Sequence, residues 1–230
     1  FGLHLSGLLS LSPGSLNSTK IRAGLAIIDR TPRKALFVAE VPEGAEEQKT
    51  LIDRFRQRKN ATSASQGRLI DPKRFRGLDA LITNERYQKL GKDTGLRSVS
   101  FNEAVSKVYR PRQTPTFEHC KEDPNAVYLP EMANTKATTR QGELPPKLKS
   151  YFQLIVNPEV VLPEYLARWL NSTLGLSLRQ SSMIGMTIPR IIQSVISEQK
   201  LYISSIEDQN VIIQTDRQIQ SMRNELSDLE

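Results

Sequence analysis

A chain of 230 residues that is 38% hydrophobic can bury one substantial core or two small ones, and its net charge of +7 with an isoelectric point near 9.6 makes an anionic partner the first candidate. One cysteine, Cys120, excludes an internal disulfide framework and fits a reducing, cytoplasmic compartment; with only His4 and His119 beside it, the ligands for a zinc site are too few. No apolar run reaches the roughly 20 residues a membrane span requires, so no membrane partner is expected.

Residues 1–11 are apolar but have no basic segment and no initiator Met, so they read as a cut inside a longer protein rather than as a leader. Leu25–Ile28 and Ala35–Val41 are β-rich runs separated by the polar, Pro-containing stretch Asp29–Lys34, which predicts a strand pair with Leu8–Leu11 as a third strand. Glu46–Arg58 reads as a short helix with Leu51, Ile52 and Phe55 on one face. Asn60–Gly67 (NATSASQG) has the composition of a linker, and Leu78–Leu90 reads as a helix ended by Gly91–Gly95.

From Val99 to Ser150 short apolar runs alternate with prolines, the pattern of an irregular β domain, with Ala126–Leu129 and Tyr151–Val156 as strands. Between those two strands lies Glu131–Lys149, polar, basic and rich in Thr, Gln and Asn. It is either a solvated loop or one that contacts DNA, because such side chains reach phosphates and base edges. Pro163–Leu178 is an amphipathic helix with Pro in its first turn; Trp169 lies in its apolar stripe and is read as core. Ser181–Pro189 is a turn built on Gly185.

The last helix, from Ile206 to about Leu229, carries a heptad seam of Ile212, Ile219 and Leu226, with Met222 and Leu229 between. A seam of about three heptads needs a partner helix, from this chain, from a second copy as a homodimer, or from another subunit. From Ile206 onward two basic residues stand against six acidic ones, a net of −4, so the rest of the chain carries +11. A basic body and an acidic helical tail suit a chain whose body meets phosphate and whose tail meets protein.

Several enzyme classes are weighed by absence. The sequence has no glycine-rich phosphate or cofactor loop and no GxSxG elbow. Adenine-N6 methylation expects Asn or Asp followed by Pro-Pro and an aromatic residue, which stacks on the flipped base. Here Pro145–Pro146 stand between Leu144 and Lys147, and Asp123–Pro124 and Asn157–Pro158 lack the second proline. No catalytic site and no metal site is expected in this chain.

Two stretches resemble known families. Residues 151–229 resemble the closing half of a target recognition domain and spacer helix of type I restriction–modification specificity subunits. The carriers are Pro163–Glu164–Tyr165–Leu166, Leu170–Asn171–Ser172 and Gly175, then Gly185–Met186–Thr187–Ile188–Pro189, then Leu201–Tyr202–Ile203 and Ile206–Glu207–Asp208–Gln209. Ser204–Ser205 replace the proline usual in that family ahead of the helix. Residues 1–58 resemble the closing segment of an N6-adenine DNA methylase, through Leu9–Gly14, Ile21–Arg30 and Ala35–Glu40.

The resemblance implies an α/β or α+β chain: a methylase-sheet remnant over 1–59, a linker over 60–70, a β-rich target recognition domain over 71–203 and a spacer or dimerisation helix over 204–230. It implies sequence-specific binding of double-stranded DNA that presents a target adenine to a methylase domain or subunit outside this chain. No cofactor is expected here; S-adenosylmethionine is implied for the parent enzyme. The candidate DNA contacts are Lys136, Arg140, Lys147 and Lys149 in the polar loop, then Arg110, Arg112 and Arg179, with Gln141, Asn134, Thr135, Thr138 and Thr139 as base readers. Arg74 and Arg76 serve the same groove or only solvate a linker. Two other classes stay open: a docking module that works only through its final helix, and a divergent DNA-modifying enzyme.

Overall fold

Leu36, Phe37, Val38 and Ala39 form an unbroken apolar run, and all four are buried, as expected of a strand covered on both faces. The computed structural model describes residues 2–11, 23–110, 122–132, 134–145, 150–184 and 189–227, and divides into two units, 1–86 and 87–230. The fold is α+β, with several small sheets and helices between them.

In the first unit strands β1 (His4–Ser10), β2 (Gly24–Asp29), β3 (Leu36–Glu40) and β4 (Arg68–Ile70) form one sheet in the order β2-β1-β3-β4. β1 runs antiparallel to β2 and parallel to β3, pairing Gly7 with Phe37 and Leu9 with Ala39. The expected pairing of β2 with β3 is therefore replaced: β1 lies between them. Helix α1 (Ala45–Gln57) covers one face, where Leu51 and Phe55 pack with Phe37 and Ala39, the two phenylalanine rings meeting edge-on at 5.5 Å. Each such buried side chain contributes roughly 1.5–3 kcal/mol. On the other face Leu36 and Val38 pack with Ala64, Leu78 and Phe75.

Residues 60–70 are not a linker. Ala64 is fully buried, its N–H donates to Glu85 Oε2 at 2.8 Å, Asn60 Oδ1 accepts from the Leu69 N–H at 2.7 Å, and 68–70 is strand β4. Small polar residues allow this stretch to fold tightly against the sheet, and Gly67 sits at φ +123° against the Phe37 ring, where a Cβ would clash. The division between units falls within helix α2 (Leu78–Asp93) instead.

The second unit is built on a three-stranded antiparallel sheet, β6 (Val105–Tyr109), β8 (Tyr151–Val156) and β7 (Ala126–Pro130), with β8 central. Strand β5 (Arg97–Ser100) leads into the short helix α3 (Phe101–Ala104) and pairs with β11 (Lys200–Ile203). Strands β9 (Met183–Ile184) and β10 (Arg190–Ile191) pair before helix α6 (Gln193–Ser197). The amphipathic run from Pro163 is two helices rather than one: α4 (Pro163–Asn171) ends at Ser172, whose Oγ accepts from the Gly175 N–H at 3.2 Å and starts α5 (Thr173–Ser181). The close approach of Gly175 to the Trp169 carbonyl and the Leu170 backbone leaves no room for a Cβ. Trp169 is core, 6% exposed, its Nε1–H donating to the Tyr202 carbonyl at 2.7 Å.

Helix α7 (Ile206–Ser227) docks on this core through its first turns. Ser205 Oγ caps it by accepting from the Asp208 N–H, and Ile213 is buried. Gln209 is fully buried, accepting from the Leu162 N–H at 2.8 Å and donating to the Ser204 carbonyl at 2.9 Å. Among the described residues no helix is long and apolar enough to cross a membrane.

Candidate nucleic-acid interface

The described part of the polar segment after β7, residues 131–132 and 134–145, is held from beneath at several steps. Glu131 at its start is fully buried, and its carboxylate accepts from Arg110 Nε at 2.6 Å and Arg190 Nη1 at 3.4 Å. The Arg110 guanidinium also lies 5.7 Å from the centre of the Phe152 ring. Further along, the Asn171 side chain clamps Ala137 from both sides, accepting from its N–H and donating to its carbonyl, each at 2.8 Å. Thr138 then makes a two-way backbone bridge to Tyr128, and its hydroxyl donates to Glu143. Gln141 Nε2 donates to the Tyr151 hydroxyl at 2.9 Å within a 3-10 turn, Gln141–Glu143.

Arg179 completes this anchoring and corrects an expectation. It was expected at the surface, but it is only 1% exposed: from α5 its Nη2 donates to the carbonyls of Met132 (2.8 Å) and Thr135, and burial pulls its pKa down to about 10. A guanidinium committed to two loop carbonyls inside the protein shapes the loop and does not reach a phosphate. Thr135 is likewise used through its carbonyl, and Gln141 is spent on Tyr151.

The outward side of the segment presents Asn134, Lys136 and Arg140, all exposed, with Thr138 and Thr139 half-buried. Arg140 is 80% exposed and 4.0 Å from Glu143. Thr138, Thr139 and Arg140 line a groove of about 550 Å³ whose other wall is α4 and α7, with Arg168, Asn171, Arg217 and Gln220. Arg168 pairs with Asp216 at 2.9 Å and Arg217 with Glu164 at 2.5 Å, so α7 is latched to α4 and the groove offers both donors and acceptors. Arg110 lines a separate hollow of about 360 Å³ with Gln193 and Ser194. Arg112, Lys147 and Lys149 lie outside the described residues.

The seam of the last helix is divided. Ile213, not a member of the expected set, is its buried apolar contact, whereas Ile212, Ile219 and Met222 are 42%, 43% and 62% exposed. Among the described residues no helix covers the expected seam at Ile212, Ile219 and Met222; the Leu226 side chain and Leu229 lie outside the described residues. In the first unit Arg74 belongs to a 3-10 turn, Pro72–Arg74, capped by Asp71, and Arg76 Nη1 donates to the Lys73 carbonyl at 2.9 Å.

The chain thus holds two units, the second carrying a braced polar loop beside a latched helix. No protein-family model matches the chain, and no curated protein matches it.

Proposed function

We propose that the second unit recognises duplex DNA by sequence as part of a bacterial restriction–modification adenine-N6 methylase, and that methyl transfer takes place on a domain or subunit outside this chain. The observation that supports this best is the braced loop. The buried Arg179 and the half-buried Asn171 bond its backbone, so that Lys136, Arg140 and Thr139 face outward with little ordering cost left to bear on binding. Lysine and arginine there give backbone contacts and register, while threonine, asparagine and arginine side chains read base edges. The resemblance of residues 151–229 to specificity subunits and of residues 1–58 to N6-adenine methylases points the same way. S-adenosylmethionine then belongs to the methylase partner, and the system works in the cytoplasm.

The exposed seam Ile212, Ile219 and Met222 favours a compatible second role, docking of a helix from another subunit or a second copy. The test of the main reading is binding of the whole chain to random duplexes across a salt series, wild type beside Lys136→Ala/Arg140→Ala. Each lost phosphate contact lowers the log–log salt slope by about 0.9. Unchanged slope together with unchanged sequence preference would remove the loop from the DNA face.

A further inference from the structure

Part of the charge in the first unit gathers at opposite ends of its sheet. Its 86 residues hold 15 basic and 9 acidic side chains, a net of +6, against +1 for residues 87–230. At the end where β3 finishes and α1 begins stand Glu40, Glu43, Glu46 and Glu47. At the other end, where β2 finishes, β3 begins and α1 stops, stand Arg30, Arg33, Lys34, Arg56, Arg58 and Lys59. Helix polarity favours cations at the end of α1, but it does not account for the three in the β2–β3 connection.

The two groups are physically joined. Arg58 ends α1 in the left-handed region (φ 54°), a conformation glycine adopts freely and arginine adopts at a cost. Its guanidinium reaches back to the carbonyls of Ser6 (3.0 Å) and Ala35, fixing the helix end to the connection. Burial, and after it the like charge of Arg33, holds the Arg58 pKa below the usual arginine value. Among the described residues Arg33 has a carboxylate partner, Asp29 at 3.1 Å, while Arg30, Lys34, Arg56 and Lys59 are exposed and pair with no carboxylate there.

We propose that this end of the first unit is a second, sequence-independent contact for the phosphate backbone of a nucleic-acid duplex. Arg58 is spent on the two carbonyls and Arg33 on Asp29, which leaves Arg30, Lys34, Arg56 and Lys59 to meet phosphate, and the planar forks of Arg30 and Arg56 match its oxygens. Residues 29–34 and 56–60 (DRTPRK, RQRKN) have Pro32 as their one apolar side chain; Leu3, Leu5 and Ile28 beside them are exposed, so the test includes a lipid surface as a competing partner.

The test uses the whole chain and a random-sequence duplex. Arg30→Glu/Lys34→Glu/Lys59→Glu is compared with Lys89→Glu/Lys92→Glu/Lys200→Glu, an equal charge change on exposed lysines of the second unit. The first variant is expected to lower the salt slope by about two to three and weaken binding at least tenfold at low salt. The second should change the slope by less than one. Lys34→Gln/Lys59→Gln, a milder change at exposed sites, covers the case in which charge reversal disturbs folding, and should lower the slope by about two. Equal slopes for wild type and the glutamine variant overturn the proposal. So does tighter binding of wild type to phosphatidylserine vesicles, or to polyglutamate, than to duplex. Loss of sequence preference with the slope retained would count against the recognition loop and leave this contact standing.

Discussion

Replacing Arg179 with Met keeps the length of the side chain and removes its charge and its donors. The carbonyls of Met132 and Thr135 then lose bonds from a charged donor, each worth about 1.5–3 kcal/mol, so about 3–6 kcal/mol together. Against this stands the cost of burying the cation. A pKa of about 10, against the usual arginine value near 12.5, corresponds at about 1.4 kcal/mol per pH unit to roughly 3 kcal/mol that the variant recovers. The net loss of stability is therefore small, about 0–3 kcal/mol, while the loop loses its main brace. Urea unfolding should show that loss, and hydrogen exchange of the amides from 134 to 138 should speed up by a larger factor than the rest of the second unit. DNA affinity should fall with the salt slope unchanged, because an interior guanidinium releases no counterion. A slope lower by about one, with stability and exchange as in the parent, would refute this reasoning and return Arg179 to the DNA face.

Other expectations are more local. Ala in place of Gly175 drives a Cβ into the Trp169 carbonyl and should lower the urea midpoint by the equivalent of about 1–3 kcal/mol, with Gln180→Ala as an exposed control. Ile219→Asp should leave the thermal midpoint of the dilute chain unchanged, since Ile219 is 43% exposed, but abolish any self-association in light scattering; Ile213→Asp should instead destabilise the chain itself. Burial raises the hydroxyl pKa values of Tyr87, Tyr128 and Tyr202 above the usual tyrosine value near 10. For such groups the stabilising contribution is complete below that value and is lost as pH rises, because the unfolded chain ionises first. Unfolding free energy should thus fall above about pH 10, and Tyr87→Phe should flatten that fall.

Much of the chain was legible because burial and period coincide. Tyr151–Val156 was read with its observed bounds, and α1 within a residue of its ends. What failed is equally physical. A strand pair was expected from β2 and β3 because their short connection resembles a hairpin, but the hydrophobic register of Leu8 and Leu9 places β1 between them. Arg179 was read as a surface cation because a charge in a polar neighbourhood carries no sign of burial; its partners are backbone carbonyls, which sequence does not display. Gln209 was missed for the same reason, since its value lies in caps it supplies to Leu162 and Ser204. In the seam, heptad spacing picked Ile212 where packing uses Ile213, one residue around the helix. Small polar residues at 60–67 signalled freedom, yet smallness is what lets Ala64 and Gly67 fit beneath the sheet.

The central claim, that the braced loop reads sequence, is tested most directly by selecting bound duplexes from a randomised pool with the whole chain. The account predicts one enriched motif, bound about a hundredfold or more tighter than a scrambled duplex at the same salt, within the lower reach of specific binding. It further predicts that Thr139→Ala or Arg140→Ala relaxes one position of that motif by about 1–3 kcal/mol. A pool that stays random after repeated rounds, with the parent chain still bound to DNA, would contradict it.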